Sequence, residues 1–252
     1  MEMPTPPQGS GQHPIALVVI SANDLTASSA FYGAVFGWNV MSMSAELWAV
    51  ATPAGPSAAL RANVPEGFPG VVPYISVRRV DAVLARVTES GATMERAPWK
   101  VPMTGTMARF RDASGTLYGL TDAVVPAGAP IIPMPFGANP KPPIGAICSL
   151  EMYAADEASP KFFHEVFGWG TMPAMPQFVA FDPGAGIGGV FQSHTPTLPA
   201  VAYIYVADVA STLTTIEAAG GERQGDPMSM PDMATFGYFK DPSGTTMGLI
   251  GP

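Results

Sequence analysis

The hydrophobic pattern of this chain is written twice. The segment FYGAVFGW, residues 31–38, recurs as FFHEVFGW at residues 162–169. In each copy the first, fifth and sixth positions are apolar, a spacing that buries one side of a helix. Gly37 and Gly168 then suit a left-handed helix C-cap, where a missing Cβ removes the steric penalty. The pattern therefore predicts one such helix in each half of the chain.

Short β-branched runs surround these helices in the same order in both halves. A strand precedes the helix, short strands follow, and a strand–helix pair and closing strands complete the half. The predicted strands of the first half are residues 15–21, 47–51, 58–62, 71–77, 107–111 and 117–121, with a second helix at 80–90. Their counterparts are strands at residues 147–152, 178–181, 188–192 and 201–206, with a helix at 209–219.

The spacing of matching residues supports a duplication of a whole domain. Asp112 and Asp241 are 129 residues apart, and the closing segments RDASGTLYGL and KDPSGTTMGL align without a gap. We therefore predict a flexible tail at residues 1–12, a first domain at 13–122, and a second domain at 144–252. Residues 123–143 contain seven prolines and are predicted to form an extended linker.

Composition narrows the functional classes. A net charge of -8, from 12 basic and 20 acidic residues, leaves no basic patch for nucleic acid or a membrane surface. Cys148 is the single cysteine, which excludes an internal disulfide and fits a reducing compartment. The start of the chain lacks a signal-peptide pattern, and no apolar run is long enough to span a bilayer. We expect a cytoplasmic protein.

A strand, an Asp-capped helix ending in FYxxVFGW, a strand–helix pair and a closing D-x-S-G turn together resemble the vicinal oxygen chelate (VOC) superfamily. This superfamily includes glyoxalase I, extradiol dioxygenases, fosfomycin-resistance enzymes and bleomycin-binding proteins, and the loops before the closing turns are similar to a bacterial branch of it. The resemblance implies an α+β fold of two tandem VOC domains. Each domain would pair two βαβββ-type units whose curled mixed sheets form a cleft.

In the enzymes that this chain resembles, a divalent metal lies on the concave face of the sheet. The resemblance places the implied ligand positions on Leu17 and Cys148, Val72 and Val201, and Gly119 and Gly248. Only Cys148 carries a donor atom, and a thiol among apolar neighbours is typically inert. A shift of the strand register would offer Ser149 or Glu151 instead. The sequence therefore predicts neither a metal nor another cofactor.

Methionine and aromatic residues in the segments that border the cleft of this fold suit an adaptable apolar pocket, although ordinary core packing explains them as well. The candidate pocket residues are Leu17, Trp48, Trp99, Met103, Met107, Cys148, Phe178, Tyr203, Met230, Met233 and Phe236.

Three functional hypotheses follow from these residues. The leading one is a metal-free protein, not an enzyme, that binds a small apolar or aromatic molecule in a sheet-lined cleft. The second is a metal-dependent lyase or dioxygenase with donors at non-standard positions, such as Glu46, Glu151 or His194. The third is an interaction protein with a vestigial cleft. The chain is expected to be a monomer with an internal pseudo-dimer, or a homodimer.

Overall fold

Two sheets and four helices make up the described part of the protein. The structure, a computed structural model, describes residues 6–101, 105–123, 141–194, 198–231 and 233–252. The first half contains β1 (Ile15–Ser21), α1 (Leu25–Phe36), β2 (Asn39–Ser42), β3 (Leu47–Ala51), β4 (Ser57–Arg61), β5 (Val71–Ser76), α2 (Val80–Glu89), β6 (Thr93–Val101), β7 (Gly105–Arg111) and β8 (Leu117–Thr121). The second half contains β9 (Ile147–Tyr153), α3 (Ala158–Phe167), β10 (Gly170–Met175), β11 (Phe178–Asp182), β12 (Gly189–Gln192), β13 (Ala200–Tyr205), α4 (Val209–Ala218), β14 (Glu222–Arg223), β15 (Met228–Met230), β16 (Ala234–Lys240) and β17 (Thr246–Gly251).

Each half folds into one mixed sheet built from two βαβββ units. Sheet A has the strand order β2-β3-β4-β1-β5-β8-β7-β6, and sheet B has the order β10-β11-β12-β9-β13-β17-β16-β14, with β15 paired to β16. The first strands of the two units lie side by side and antiparallel at the centre of each sheet, as β1 with β5 and β9 with β13. The predicted α+β fold of tandem, paired βαβββ units is confirmed.

The repeated FGW segments end their helices as predicted. Gly37 ends α1 with φ 69° and Gly168 ends α3 with φ 67°, both in the left-handed region. At the other end of α1, the Asp24 side chain accepts hydrogen bonds from the Thr26 and Ala27 backbone N–H groups. These local rules fix both helix boundaries because each cap satisfies backbone groups that the helix itself leaves unpaired.

The closing D-x-S-G turns fasten each half to the other. The Asp112 side chain accepts the backbone N–H groups of Ser114 and Thr116, and Asp241 holds its own turn in the same way. Thr116 then donates from its hydroxyl to the Tyr153 carbonyl in the second half. In the matching contact, Thr245 donates to the Ser21 carbonyl in the first half. The two halves therefore interleave through equivalent turns.

One large hydrophobic core runs through both halves. Its buried residues come from both sheets and from all four helices. Aromatic rings cross the boundary, since Phe31 of α1 packs 6.1 Å from Phe239 of β16, and Phe110 of β7 packs 6.2 Å from Phe167 of α3, between ring centroids. Burial of this apolar surface is the dominant favourable term in folding, so neither half encloses its own core alone.

The segments that border the two predicted domains are described in part. Residues 6–12, predicted to be a flexible tail, lie against the second half, where Ser10 N–H donates to the Gly168 carbonyl and Gly11 N–H to the Pro183 carbonyl, both at 2.9 Å. Gly9 permits this approach because a Cβ there would overlap the backbone of Pro183. Most of the predicted linker, residues 124–140, lies outside the described residues. Among the helices that are described, none is long and apolar enough to cross a membrane.

Candidate ligand-binding faces of the two sheets

One face of each sheet carries no helix in the described part of the chain. The buried apolar residues of all four helices belong to the shared core. On the opposite side of sheet A, strand residues and Phe68 form a second apolar cluster. We call this side open face A, marked by Leu17, Tyr74 and Arg109. Strand alternation places Glu151, Tyr203 and Tyr238 on the equivalent side of sheet B, which we call open face B.

A tyrosine lies on a glycine at the centre of each open face. Tyr74 of β5 is the parallel partner of Gly119 on β8, and Tyr203 of β13 is the parallel partner of Gly248 on β17. A Cβ added at either glycine would overlap the tyrosine ring beside it. The absence of a side chain at Gly119 and Gly248 is therefore what allows each ring to lie close to the sheet.

Strand register corrects one pair of the implied metal positions. Leu17 lies opposite Tyr74, and the residue opposite Tyr203 is Ser149 and not Cys148. Cys148 belongs to the shared core with 0% of its surface exposed, and its thiol donates to the Tyr203 carbonyl at 3.5 Å. Burial raises the pKa of this thiol far above its ordinary value. Ser149, on the open side, is thus the counterpart of Leu17.

The residues at the implied metal positions do not fit a divalent metal. Zinc, iron and manganese need imidazole, carboxylate or thiolate donors that converge on one point. Open face A offers Leu17, Val72 and Gly119 there, and the Tyr74 ring lies over the glycine. Within the described ranges, no three His, Cys, Asp or Glu side chains are grouped so that they could hold a metal ion.

Open face A combines arginines with aromatic rings. Arg109 of β7 is 5% exposed, and its Nε donates to the Glu95 carboxylate at 2.7 Å. The guanidinium carbons of Arg61 and Arg109 lie 5.1 and 5.0 Å from the centroid of the Phe68 ring. Trp99 lies at the other side of Arg109, with its ring centroid 5.4 Å from the same guanidinium carbon. The face therefore holds positive charge against apolar surface.

Open face B carries a chain of acidic and phenolic groups instead. Tyr203 donates its hydroxyl proton to Glu151 at 2.8 Å, so Tyr238 is the donor in its 2.6 Å hydrogen bond with Tyr203. His194 Nε2 lies 3.5 Å from the other Glu151 oxygen. Burial raises the pKa of Glu151, and the hydrogen bond from Tyr203 and the nearby His194 only partly oppose this. The same scaffold thus presents different chemistry on its two faces.

The predicted pocket residues separate into several groups. Leu17, Trp99 and Met107 belong to the apolar cluster of open face A. On open face B, the Phe178 ring lies 5.4 Å from the His194 ring, and the Phe236 ring lies 6.2 Å from Tyr203.

The remaining candidates lie elsewhere. Trp48 lines a shallow hollow of about 460 Å³ beside the start of α1, away from the cluster of open face A. Met230 is the partner of Ala234 at the edge strand β15, and Met233 follows in the adjoining turn. Met103 lies outside the described residues.

Sequence reasoning did not find the polar groups of the faces. Tyr74, Arg109 and Tyr238 were not among the candidates, although the repeat contains the signal for them. Arg109 and Tyr238 are 129 residues apart, the same offset as the closing turns, and each pairs with the glycine of its own face. Alternation from Met107 also places Arg109 on the open side of its strand.

The paired βαβββ units around two mixed sheets give this protein the fold of two tandem VOC-like domains. Residues 14–119 match the model of the Glyoxalase/Bleomycin resistance protein/Dioxygenase superfamily. The match covers residues 14–119, and the second half of the chain repeats the fold of this segment.

Known proteins extend this similarity to both halves. "Putative glyoxylase CFP32" of Mycobacterium tuberculosis is 25% identical, over 93% of this chain and 93% of that protein. A Mn(II)-bound glyoxalase from Novosphingobium aromaticivorans is 19% identical with a TM-score of 0.67, over 94% of this chain and 81% of the other. The 2,3-dioxygenase LapB from Pseudomonas sp. KL28 is 14% identical with a TM-score of 0.66, over 97% and 93%. The solved structures establish similarity of fold alone.

Replacing Gly119 by alanine should displace the Tyr74 ring and destabilise the protein. Overpacking of this kind typically lowers the free energy of unfolding by about 1–3 kcal/mol. Urea denaturation of Gly119→Ala, Tyr74→Ala and the double variant would measure it. The double variant should be less destabilised than the sum of the two single variants, because the added methyl group then occupies vacated space. Strict additivity would contradict the ring–glycine contact.

The buried Glu151 should make stability depend on pH. Because its folded-state pKa is raised above the ordinary value of 4.5, folding favours the protonated form. This contribution is fully present below the unfolded-state pKa and is lost as pH rises through the folded-state pKa. Glu151→Gln should therefore gain stability relative to the wild type as pH increases over that window.

Urea midpoints of both proteins between about pH 4 and pH 8 would measure this difference, and subtraction removes the contributions of other buried carboxyl groups. Glu89→Gln, at an exposed helix position, is the matched control for the change of side chain, and the pH dependence of Glu151→Gln is compared with it. A pH-independent difference for Glu151→Gln would contradict the raised pKa.

Proposed function

We propose that this protein binds a small, largely apolar or aromatic molecule on the open faces of its sheets without a metal. The observation that carries the proposal is the tyrosine ring lying on Gly119 and again on Gly248, where the superfamily resemblance implies a metal ligand. The ring occupies the space that a metal-ligating side chain would need at that position. The same packing occurs in both halves, which supports the proposal for both faces.

The apolar cluster of open face A supports the same proposal. Its partly buried members lie against the fully buried ones, so apolar surface remains available at the edge of the face. These partly buried members are Leu17, Leu47, Phe68, Trp99 and Val101. Sites for small molecules typically combine such surface with a few placed polar groups, which Arg61 and Arg109 supply here.

Binding of a neutral aromatic probe tests this proposal. We expect 2-naphthamide to bind in calorimetric titrations, with no change in affinity after treatment with a chelator. Trp99→Ala should weaken binding by about fivefold to tenfold, since aromatic stacking is lost. Trp48→Ala is the matched control, because it removes an indole outside open face A, and it should leave the affinity unchanged. A stoichiometric transition metal in the purified protein, or chelator-sensitive binding, would contradict the proposal.

A second candidate is an acid–base enzyme of the glyoxalase type, and the groups on open face B favour it. A buried carboxyl group with a raised pKa, such as Glu151 with His194 nearby, is typical of a general acid or base. The glyoxylase name of the mycobacterial relative points to the same type of enzyme.

For this candidate we expect turnover of the methylglyoxal–glutathione hemithioacetal in the presence of a chelator. Glu151→Gln should lower kcat by about 10²-fold or more, because proton transfer by a positioned carboxylate is lost. Glu89→Gln should leave kcat unchanged. Equal rates for wild type and Glu151→Gln would exclude this role for Glu151.

A further inference from the structure

We propose that open face A is a site for a small aromatic or apolar monoanion, a carboxylate, held at Arg109 and Arg61 with its apolar part against Phe68 and Trp99. The inference rests on the proposed function and specifies the ligand class of one of its two faces. Three observations support the inference. Within the described part of the chain, Arg109 has a donor without a hydrogen-bond partner, the charges around Arg109 sum to a positive excess, and aromatic rings flank its guanidinium group.

Arg109 is a buried cation with an unused donor. Its side chain is 6% exposed, Glu95 accepts the Nε proton at 2.7 Å, and the Tyr74 phenol also interacts with the guanidinium group. The Nη1 atom is buried and has no hydrogen-bond partner among the residues that the structure describes. Buried guanidinium groups are normally paired, and an unmet donor on a charged group is unfavourable until it finds an acceptor. A carboxylate oxygen of a ligand is such an acceptor.

The charges around Arg109 leave room for one negative charge. Arg61 and Arg96 accompany it on the same side of the sheet, and the nearby carboxylates are Glu95 and Glu46. Three guanidinium groups against two carboxylates leave an excess of one positive charge, in a protein whose net charge is -8. This local excess favours an anionic ligand.

Arg61 and Arg109 also repel each other across the face. Burial lowers the pKa of Arg61, and the positive charge of Arg109 lowers it further. Both guanidinium carbons lie about 5 Å from the Phe68 centroid, at 5.1 and 5.0 Å, so one ring holds the two cations near each other. An anion that contacts both would remove this repulsion.

The flanking rings define the rest of the ligand. Phe68 and Trp99 are half-buried, and Leu17 is half-buried on the central strand of the same face. Their unburied surface adjoins the guanidinium groups, so a ligand with a charged end and a flat apolar body satisfies both parts of the face. Open face B has the opposite character, because its central charged group is the carboxyl group of Glu151.

A matched pair of probes tests the inference. We expect calorimetric titrations of the wild type to give tighter binding of 2-naphthoate than of the neutral 2-naphthamide, by about tenfold or more, as charge-assisted hydrogen bonds require. Arg109→Gln should abolish that preference. Glu95→Gln should strengthen naphthoate binding, because it removes the carboxylate that competes for Arg109. Arg79→Gln, an exposed arginine with the same change of charge, is the control and should leave the preference unchanged.

Arg61→Gln provides an independent variant if Arg109→Gln does not fold, and it should also reduce the preference for naphthoate. Equal affinities of the wild type for both probes, or a preference that both arginine variants retain, would overturn the inference while the proposed apolar site stands. If neither probe binds, the inference and apolar binding on open face A both fail.

Discussion

The packing of a tyrosine ring on a glycine is the constraint on which the rest of both faces depends. Tyr74 can lie over β8 only because Gly119 has no side chain, and Tyr203 lies over β17 for the same reason at Gly248. The ring fills the volume that a metal-ligating side chain would need. It also places a phenol group at the centre of each face, within reach of the side chains on the neighbouring strands. A metal site and this packing are therefore mutually exclusive at the same position.

The two sheets share this packing and differ in the side chains around it. The residue that faces the glycine from the neighbouring antiparallel strand is Arg109 on sheet A and Tyr238 on sheet B. On the central strands, strand register matches Val19 with Glu151. These two exchanges contribute to the difference between a cationic, aromatic face and an acidic, phenolic one. Because the backbone frame is shared, the difference in chemistry resides in a few side chains, as expected when function is carried by sites grafted on a fold.

Sequence analysis predicted the features that depend on local rules. The helix ends at Gly37 and Gly168 follow from steric limits on φ, and the closing turns follow from aspartate side chains that accept their own backbone N–H groups. The counterpart of Leu17 was predicted one residue too early, at Cys148, because the offset of the helices was applied to the strand. Strand pairing decides register, and partners distant in sequence determine that pairing.

The sequence did not predict the buried charge on open face A, because that charge also depends on residues distant in sequence. Arg109 lies two residues after Met107 on the same strand, so strand alternation predicts that both side chains face the open side. The burial of Arg109, however, depends on Phe68 in a separate loop and on Trp99 across the bulged pairing of β6 with β7. Each face also depends on the other half of the chain, since the closing turn of each half donates a hydrogen bond to the first strand of the other half. The strand that carries Glu151 is therefore held by the half that contains Arg109. Each face is built on one sheet, but its geometry requires both halves of the chain.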